Sequence, residues 1–116
     1  MVVDRIDEQR ADELFHALAD ATRRDIVKRA MSGDHSVSAL ARYYPMSFAA
    51  VQKHVAVLEH AGLVTKQRRG REQLVQTDIN TIRAANRPLD EFEAVWRRRL
   101  DRFDEILAEP SEGASK

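Results

Sequence analysis

Along residues 36–64, SVSALARYYPMSFAAVQKHVAVLEHAGLV, apolar and polar positions follow a helical period that is interrupted once. Val37, Leu40 and Ala41 fall at helical spacing, and Ser36 before them suits an N-cap, because its hydroxyl can accept from an unpaired first-turn N–H. Pro45 ends that helix, since the residue before a proline is pushed out of the α region. Ser47 restarts it as a second N-cap. From there Val51, Val55 and Leu58 recur at spacings of four and three and make one apolar face. Ala49, Lys53, Ala56 and His60 occupy the opposite face, and Gly62 after Ala61 supplies a left-handed stop. A short helix, a tight turn and a capped amphipathic helix describe a helix-turn-helix.

Next, Leu63–Arg68 (LVTKQR) and Gln73–Thr77 (QLVQT) are β-branched and apolar enough for strands, and Gly70 in the intervening RGRE can take a positive φ. A helix-turn-helix that leads at once into a basic-tipped hairpin reads as a winged helix. The plain alternative is a small helical domain whose second helix only faces the core. The small and basic outer face, Ala49, Lys53 and Ala56, favours the first, because it lets a helix approach a groove closely.

Upstream, Ala11, Leu14, Phe15 and Leu18 form the stripe of a first helix over roughly residues 8–19. Asp20-Ala21-Thr22 is a break, and Thr22 with Asp25 resembles a capping box. Ile26, Val27, Ala30 and Met31 give the inner face of a second helix; Arg23, Arg24, Lys28 and Arg29 give its outer face, and Gly33 stops it. Downstream, Asp78 or Asn80 caps a short helix with Ile79, Ile82 and Ala85, and Pro88 opens a new one that runs to about Ala108. Phe92, Trp96, Leu100, Phe103 and Leu107 follow there at spacings of four, four, three and four, one ridge on a helix about 30 Å long. Helix one, with Leu14, Phe15 and Leu18, is too short to cover this ridge, so a second copy of the chain is expected on it. Purely intramolecular packing is the alternative. Residues 109–116, EPSEGASK, are small and polar and read as a disordered tail behind a single domain over 1–108.

Composition adds limits. The chain has 116 residues, 43% of them hydrophobic and 33% charged, which suits one soluble helical domain. It has no cysteine, so disulfides, thiolate metal sites and cysteine redox sensing are excluded. Neither a signal-peptide core nor a membrane-spanning run occurs, and a cytoplasmic location is the default expectation. The formal net charge of zero hides a segregation. Residues 1–20 hold six acids and two bases, and residues 89–116 eight acids and five bases, whereas residues 42–71 hold six bases (Arg42, Lys53, Lys66, Arg68, Arg69, Arg71) against Glu59 alone. Positive charge gathered on the second helix of the motif and on the hairpin is the footprint of a phosphate-binding face.

With these residues in hand, the chain resembles the ArsR/SmtB family of bacterial winged-helix repressors over roughly residues 10–108. LADATRRDIV is similar to the family's second-helix start, with Ala21 where a proline is usual. PMSFAAVQKHVAVLEHAGLV resembles its recognition segment, RRGREQLVQT its wing, and WRRRLDRFDEIL the last helix of a branch without metal motifs. The resemblance implies an α-α-α-α-β-β-α winged helix-turn-helix that dimerises through its first and last helices and represses from a palindromic double-stranded DNA operator. By position it implies DNA contact for Ser47, Phe48, Ala49, Gln52, Lys53 and His54, and for Arg69 and Arg71 on the wing. Gln52 departs from the serine common there, and glutamine can pair bidentately with adenine.

No metal, cofactor or catalytic group is expected. The third helix, SALARYY, carries no Cys or His, residues 89–108 carry no histidine, and His16, His35, His54 and His60 show no paired spacing. Nothing pairs a nucleophile with a base or cradles a phosphate with glycines. The rival from another class is a winged helix used as a protein-interaction module, to which Phe48 and Val57 point faintly and the six-to-one base excess does not. No small-molecule effector is written in the sequence; the apolar last helix suits a dimer core or the border of a ligand pocket equally.

Overall fold

The structure, a computed structural model, describes residues 5–108. The expected tail at 109–116 and the first four residues lie outside the described residues. Five helices and three strands follow in the order α1 (Arg5–Leu18), α2 (Ala21–Ser32), β1 (His35–Ser36), α3 (Val37–Ala41), α4 (Phe48–His60), β2 (Val64–Arg69), β3 (Glu72–Thr77) and α5 (Ile79–Ala108). This is the expected mainly helical fold with a β wing. The chain divides into two compact units, Met1–Ala85 and Asn86–Lys116, so α5 begins in the first and continues in the second.

The core of the first unit takes one face from each element. Leu14 and Ala17 come from α1, Ile26, Val27 and Ala30 from α2, Val37 and Leu40 from α3, and Val51, Val55 and Leu58 from α4. Ala61, Leu63, Val64, Val75 and Ala85 complete it. Most are fully buried aliphatic side chains, each contributing about 1.5–3 kcal/mol by leaving water.

Helix ends decide where these faces start. Ser36 Oγ accepts from the Ala39 amide at 3.0 Å, and Ser47 Oγ from the Ala50 amide at 3.1 Å, as the sequence suggests. The cap of α2 is different: Asp20, in extended conformation, accepts from the Arg23 amide at 3.0 Å, so the box expected from Thr22 and Asp25 does not form. Asp25 is engaged elsewhere, accepting from Arg29 Nε at 2.8 Å and from the Tyr44 hydroxyl at 2.7 Å. At the end of α4, Gly62 takes φ +80°, while its amide bonds Glu59 O and the Leu63 amide bonds Leu58 O at 2.9 Å. This is a Schellman stop, and the buried pair Leu58 and Leu63 supplies its usual apolar contact.

The sheet is antiparallel in the order β1-β3-β2. Strands β2 and β3 pair from Val64 opposite Thr77 to Arg69 opposite Glu72, which leaves Gly70 and Arg71 as a two-residue turn. Gly70 has φ +64° and Arg71 after it has negative φ, as in a type II′ hairpin. The third strand was not expected: His35 reads as loop, because two residues are too few to show an alternating pattern, yet they pair with Val75 and Leu74.

The largest difference lies after the wing. The separate short helix and the helix start expected at Pro88 merge into one 30-residue helix with Pro88 inside it. Proline removes one donor, the one the Ala84 carbonyl would receive, and disfavours a helix locally. The apolar spacing Ile82, Ala85, Leu89, Phe92, Trp96 nevertheless keeps its phase across Pro88, and helix-forming residues flank both sides.

The α3–α4 turn is fastened to α2 by Tyr44, whose phenol is pushed up to about 12 by burial and by its bond to Asp25. That same bond, with Arg29, holds the Asp25 carboxyl below its usual value. A raised phenol pKa means stabilisation that is complete below about pH 10 and lost as pH rises toward 12. A lowered carboxyl pKa means stabilisation present above about pH 4 and lost below it. Tyr44→Phe is expected to flatten the alkaline limb of the stability profile and weaken the acid limb, measured by urea midpoints from pH 3 to 12. A mutant profile parallel to wild type would remove this fastening.

Candidate nucleic-acid interface

Burial of α4 is one-sided. Val51, Val55 and Leu58 are wholly buried, and Phe48, Ala49, Gln52, Lys53, Ala56, Glu59 and His60 are exposed. Ala50, His54 and Val57 are half-buried. The outward strip is short-chained at Ala49 and Ala56 and polar at Gln52 and Lys53. Short side chains at Ala49 and Ala56 allow a close approach to a groove, and the hydrogen-bonding groups of Gln52 and Lys53 lie in the N-terminal half. Ser47 precedes it with its oxygen already capping the helix.

The wing holds Arg68, Arg69 and Arg71 exposed around Gly70. Arg68 Nε donates to Gly70 O at 3.3 Å and braces the turn, leaving Arg69 and Arg71 as the outward charges of the tip. The six-base cluster read from the sequence contains one internal pair: Lys66 Nζ lies 3.4 Å from Glu59 Oε1 and ties β2 to α4. An ion pair this exposed stabilises little, but it takes Lys66 out of the phosphate-facing charge.

His54 is not a free surface group. Its Nδ1 lies 3.2 Å from Nη1 of Arg23, whose Nε and Nη2 donate to Ala17 O at 2.7 Å and His16 O at 3.1 Å. Arg24 Nη1 donates to Leu18 O at 2.7 Å. Two guanidinium groups from α2 thus bond the carbonyls at the end of α1, of which His16 O also accepts from the Ala19 amide. The sequence pattern places Arg23 and Arg24 on the outer face of α2. The signal for their role is the set of carbonyls at the end of α1, which need donors from outside the helix. The Asp20 carboxyl, in the same corner, is held low chiefly by the Arg23 amide.

The residues expected between copies divide. Leu14 is 1% exposed and packed inside the core of its own unit, so it has no surface to offer a partner. Leu18 is half-buried against that core, and Phe15 is exposed. In the second unit the whole ridge is open, from Leu100 at 43% to Leu107 at 75%, with Phe92, Trp96 and Phe103 between.

On α1 and α4, Glu13, His16, Ala56, Val57, His60 and Ala61 line a mostly apolar groove of about 350 Å³. It brings together two histidines that the sequence kept apart, yet no group of three or more His, Asp or Glu side chains is placed to hold a metal among the described residues. None of the described helices is long and apolar enough to cross a membrane.

A capped helix-turn-helix with an outward polar strip, followed by an arginine-tipped hairpin, defines the winged helix-turn-helix class. Over 96 residues the chain is 38% identical to the HTH-type transcriptional regulator Rv2034 of Mycobacterium tuberculosis, covering 83% of this chain and 87% of that protein. It is 32% identical to the solved ArsR-like transcriptional regulator from Rhodococcus sp. RHA1, with a TM-score of 0.73 over 90% of this chain and 97% of that one. A homodimeric winged helix-turn-helix DNA-binding domain from Mycobacterium bovis, at 21% identity, shares the fold with a TM-score of 0.60 over 87% and 89% of the two chains. No protein-family model matches the chain. The chain belongs to the ArsR-type family of winged helix-turn-helix transcriptional regulators.

Metals are expected to leave its DNA affinity unchanged. Titration with buffered zinc, cadmium or arsenite at micromolar levels checks this, and a tenfold shift would expose a site built from His16, His35 or carboxylates.

Proposed function

We propose that this chain is a cytoplasmic, homodimeric repressor that acts by binding a palindromic operator and not by catalysis. Helix α4 lies in the major groove, with Ser47, Phe48, Ala49, Gln52, Lys53 and His54 toward DNA, and Arg69 and Arg71 on the wing meet the flanking backbone. The observation that carries this reading is the one-sided burial of α4: its inner face is fully used by the core, and its outer face is small and polar beside an arginine-tipped hairpin. Fluorescence anisotropy with DNA from the chain's own promoter tests it. Binding there with at least a hundredfold preference over random duplex at 150 mM salt is expected, and equal affinity for both would contradict it.

The open ridge supports the dimer. Phe92, Trp96, Leu100, Phe103 and Leu107 are exposed along one helix, and a patch of that size is rarely left to water. Burying each forgone side chain is worth about 1.5–3 kcal/mol. Trp96→Ala is expected to lower stability and DNA affinity together, and to make both depend on protein concentration. Sedimentation that finds a folded wild-type monomer at micromolar concentration, still binding a palindrome tightly, would end this part of the reading.

The two contact regions give different signatures. Arg69→Ala or Arg71→Ala should weaken binding to every sequence and lower the salt slope by about one per lost phosphate contact. Gln52→Ala should instead relax preference at one base pair per half-site, by about 1–3 kcal/mol. Unchanged salt dependence in both arginine mutants removes the wing from the interface, and a uniform loss in the Gln52 mutant removes it as a base reader.

A further inference from the structure

The exposed ridge of α5 reads the same in both directions. Leu89 and Phe92 stand seven and four residues before Trp96, and Leu100 and Phe103 stand four and seven after it. At 3.6 residues per turn all five fall within about 40° of one line along the helix. Spacing is mirrored about Trp96, but side-chain type is not: Phe92 mirrors Leu100, and Leu89 mirrors Phe103. All five are open to solvent, from 43% at Leu100 to 68% at Phe92. The next ridge residue, Leu107, has Ala85 as its mirror, and Ala85 is buried in the first unit, so the symmetric stretch ends at Phe103.

Such a ridge fits itself. A two-fold interface uses the same patch on both subunits. With the axis at Trp96 and the second copy antiparallel, Phe92 lies opposite the partner's Leu100, and Phe103 opposite the partner's Leu89. Each ring then meets a smaller aliphatic group, the alternation that lets facing layers interdigitate. A parallel copy would set Phe92 on Phe92 and Phe103 on Phe103.

Charge on the two flanks of the ridge points to the same arrangement. One flank carries Glu93 and Arg97, joined at 2.8 Å from Nη2 to Oε2 with both side chains mostly in solvent. The other carries Val95 and Arg99, whose guanidinium lies 5.8 Å from the Trp96 ring centre. Antiparallel copies bring like flanks together. The partner's Arg97 then stands about 3 Å along the axis from Glu93, and Arg97 the same from the partner's Glu93. Parallel copies bring unlike flanks together and set Arg97 beside the partner's Arg99. Charges beside an apolar seam decide partner and orientation. Resting on the reading of this chain as a homodimer closed by the ridge, we propose that Glu93 and Arg97 are the residues by which α5 selects a second copy of itself, antiparallel with Trp96 on the two-fold axis. A chain with a different charge at either position is rejected by repulsion as well as by the missing pair.

Two experiments on the full chain test this. In the double variant Glu93→Arg/Arg97→Glu the charges are exchanged, so pairing within the helix and between identical copies is kept, whereas a mixed dimer with wild type sets like charges together twice. Mixed at equal concentration with tagged wild type, it should self-sort: a roughly tenfold bias cuts mixed dimers from the random half to about a tenth. A random half overturns the proposal, as does a charge-exchanged chain that stays monomeric where wild type is a dimer. Because the chain has no cysteine, thiols can report the register. Phe92→Cys and Leu100→Cys should form a disulfide under mild oxidation when mixed, and neither should do so alone. Either variant cross-linking alone as readily as the mixture overturns the antiparallel register. Sedimentation of wild type separates the two levels: a dimer that fails these tests removes only the self-selection, whereas a monomer at micromolar concentration removes the homodimer and this inference with it.

Discussion

The fit of Val51, Val55 and Leu58 into the core is the constraint on which the rest of this protein depends. These three side chains are wholly buried. With them in place α4 cannot rotate about its axis without exposing apolar surface, and a close-packed interior resists even a methylene's change. The opposite strip is therefore presented outward by necessity. The Ser47 cap sets where the helix begins, and the Schellman stop at Gly62 sets where the chain turns into β2. The wing emerges next to α4 for the same reason: Leu63 and Val64 on one side and Val75 on β3 are buried continuations of the same core, and β2 leaves it only from Thr65 onward.

A second set of interactions orients this assembly without burying apolar area. Arg23 and Arg24 close the end of α1, and Arg23 continues to α4 through His54. Asp25, Arg29 and Tyr44 fasten the turn before α4 to α2, and Arg29 also lies over the Tyr43 ring at 3.6 Å. Each bond contributes little beside the core, because solvent reaches these charged groups. Their effect is on direction. They hold the turn of the helix-turn-helix and the middle of α4 against α2.

Much of this was legible in the sequence, and the exceptions share a cause. Periodicity and caps located α3, α4, the stop at Gly62 and the hairpin around Gly70, because each rests on local spacing and on a residue with a distinctive backbone role. The cap of α2 is not legible locally, since Thr22–Asp25 and Asp20–Arg23 are equally spaced and only tertiary contacts show that Asp25 is claimed by Tyr44. Sequence alone breaks α5 at Pro88, where the local penalty masks an apolar phase that runs through it. It assigns Leu14 to a contact between copies, because one stripe on α1 serves the core at Leu14 and opens to solvent at Phe15. Among the proposed contacts, Gln52 and Lys53 were visible as polar positions on a helical face. The engagement of His54 by Arg23 was not, because it joins residues 31 positions apart.

The central claim is that the outward strip of α4 enters the major groove, twice per dimer. Methylation protection on the chain's promoter DNA tests it most directly, since it reads guanine N7 in the major groove and adenine N3 in the minor. The account predicts protected guanines in two successive major grooves, about 10–10.5 base pairs apart from centre to centre. Protection confined to the minor groove, or to a single major-groove patch at saturating protein, would contradict it.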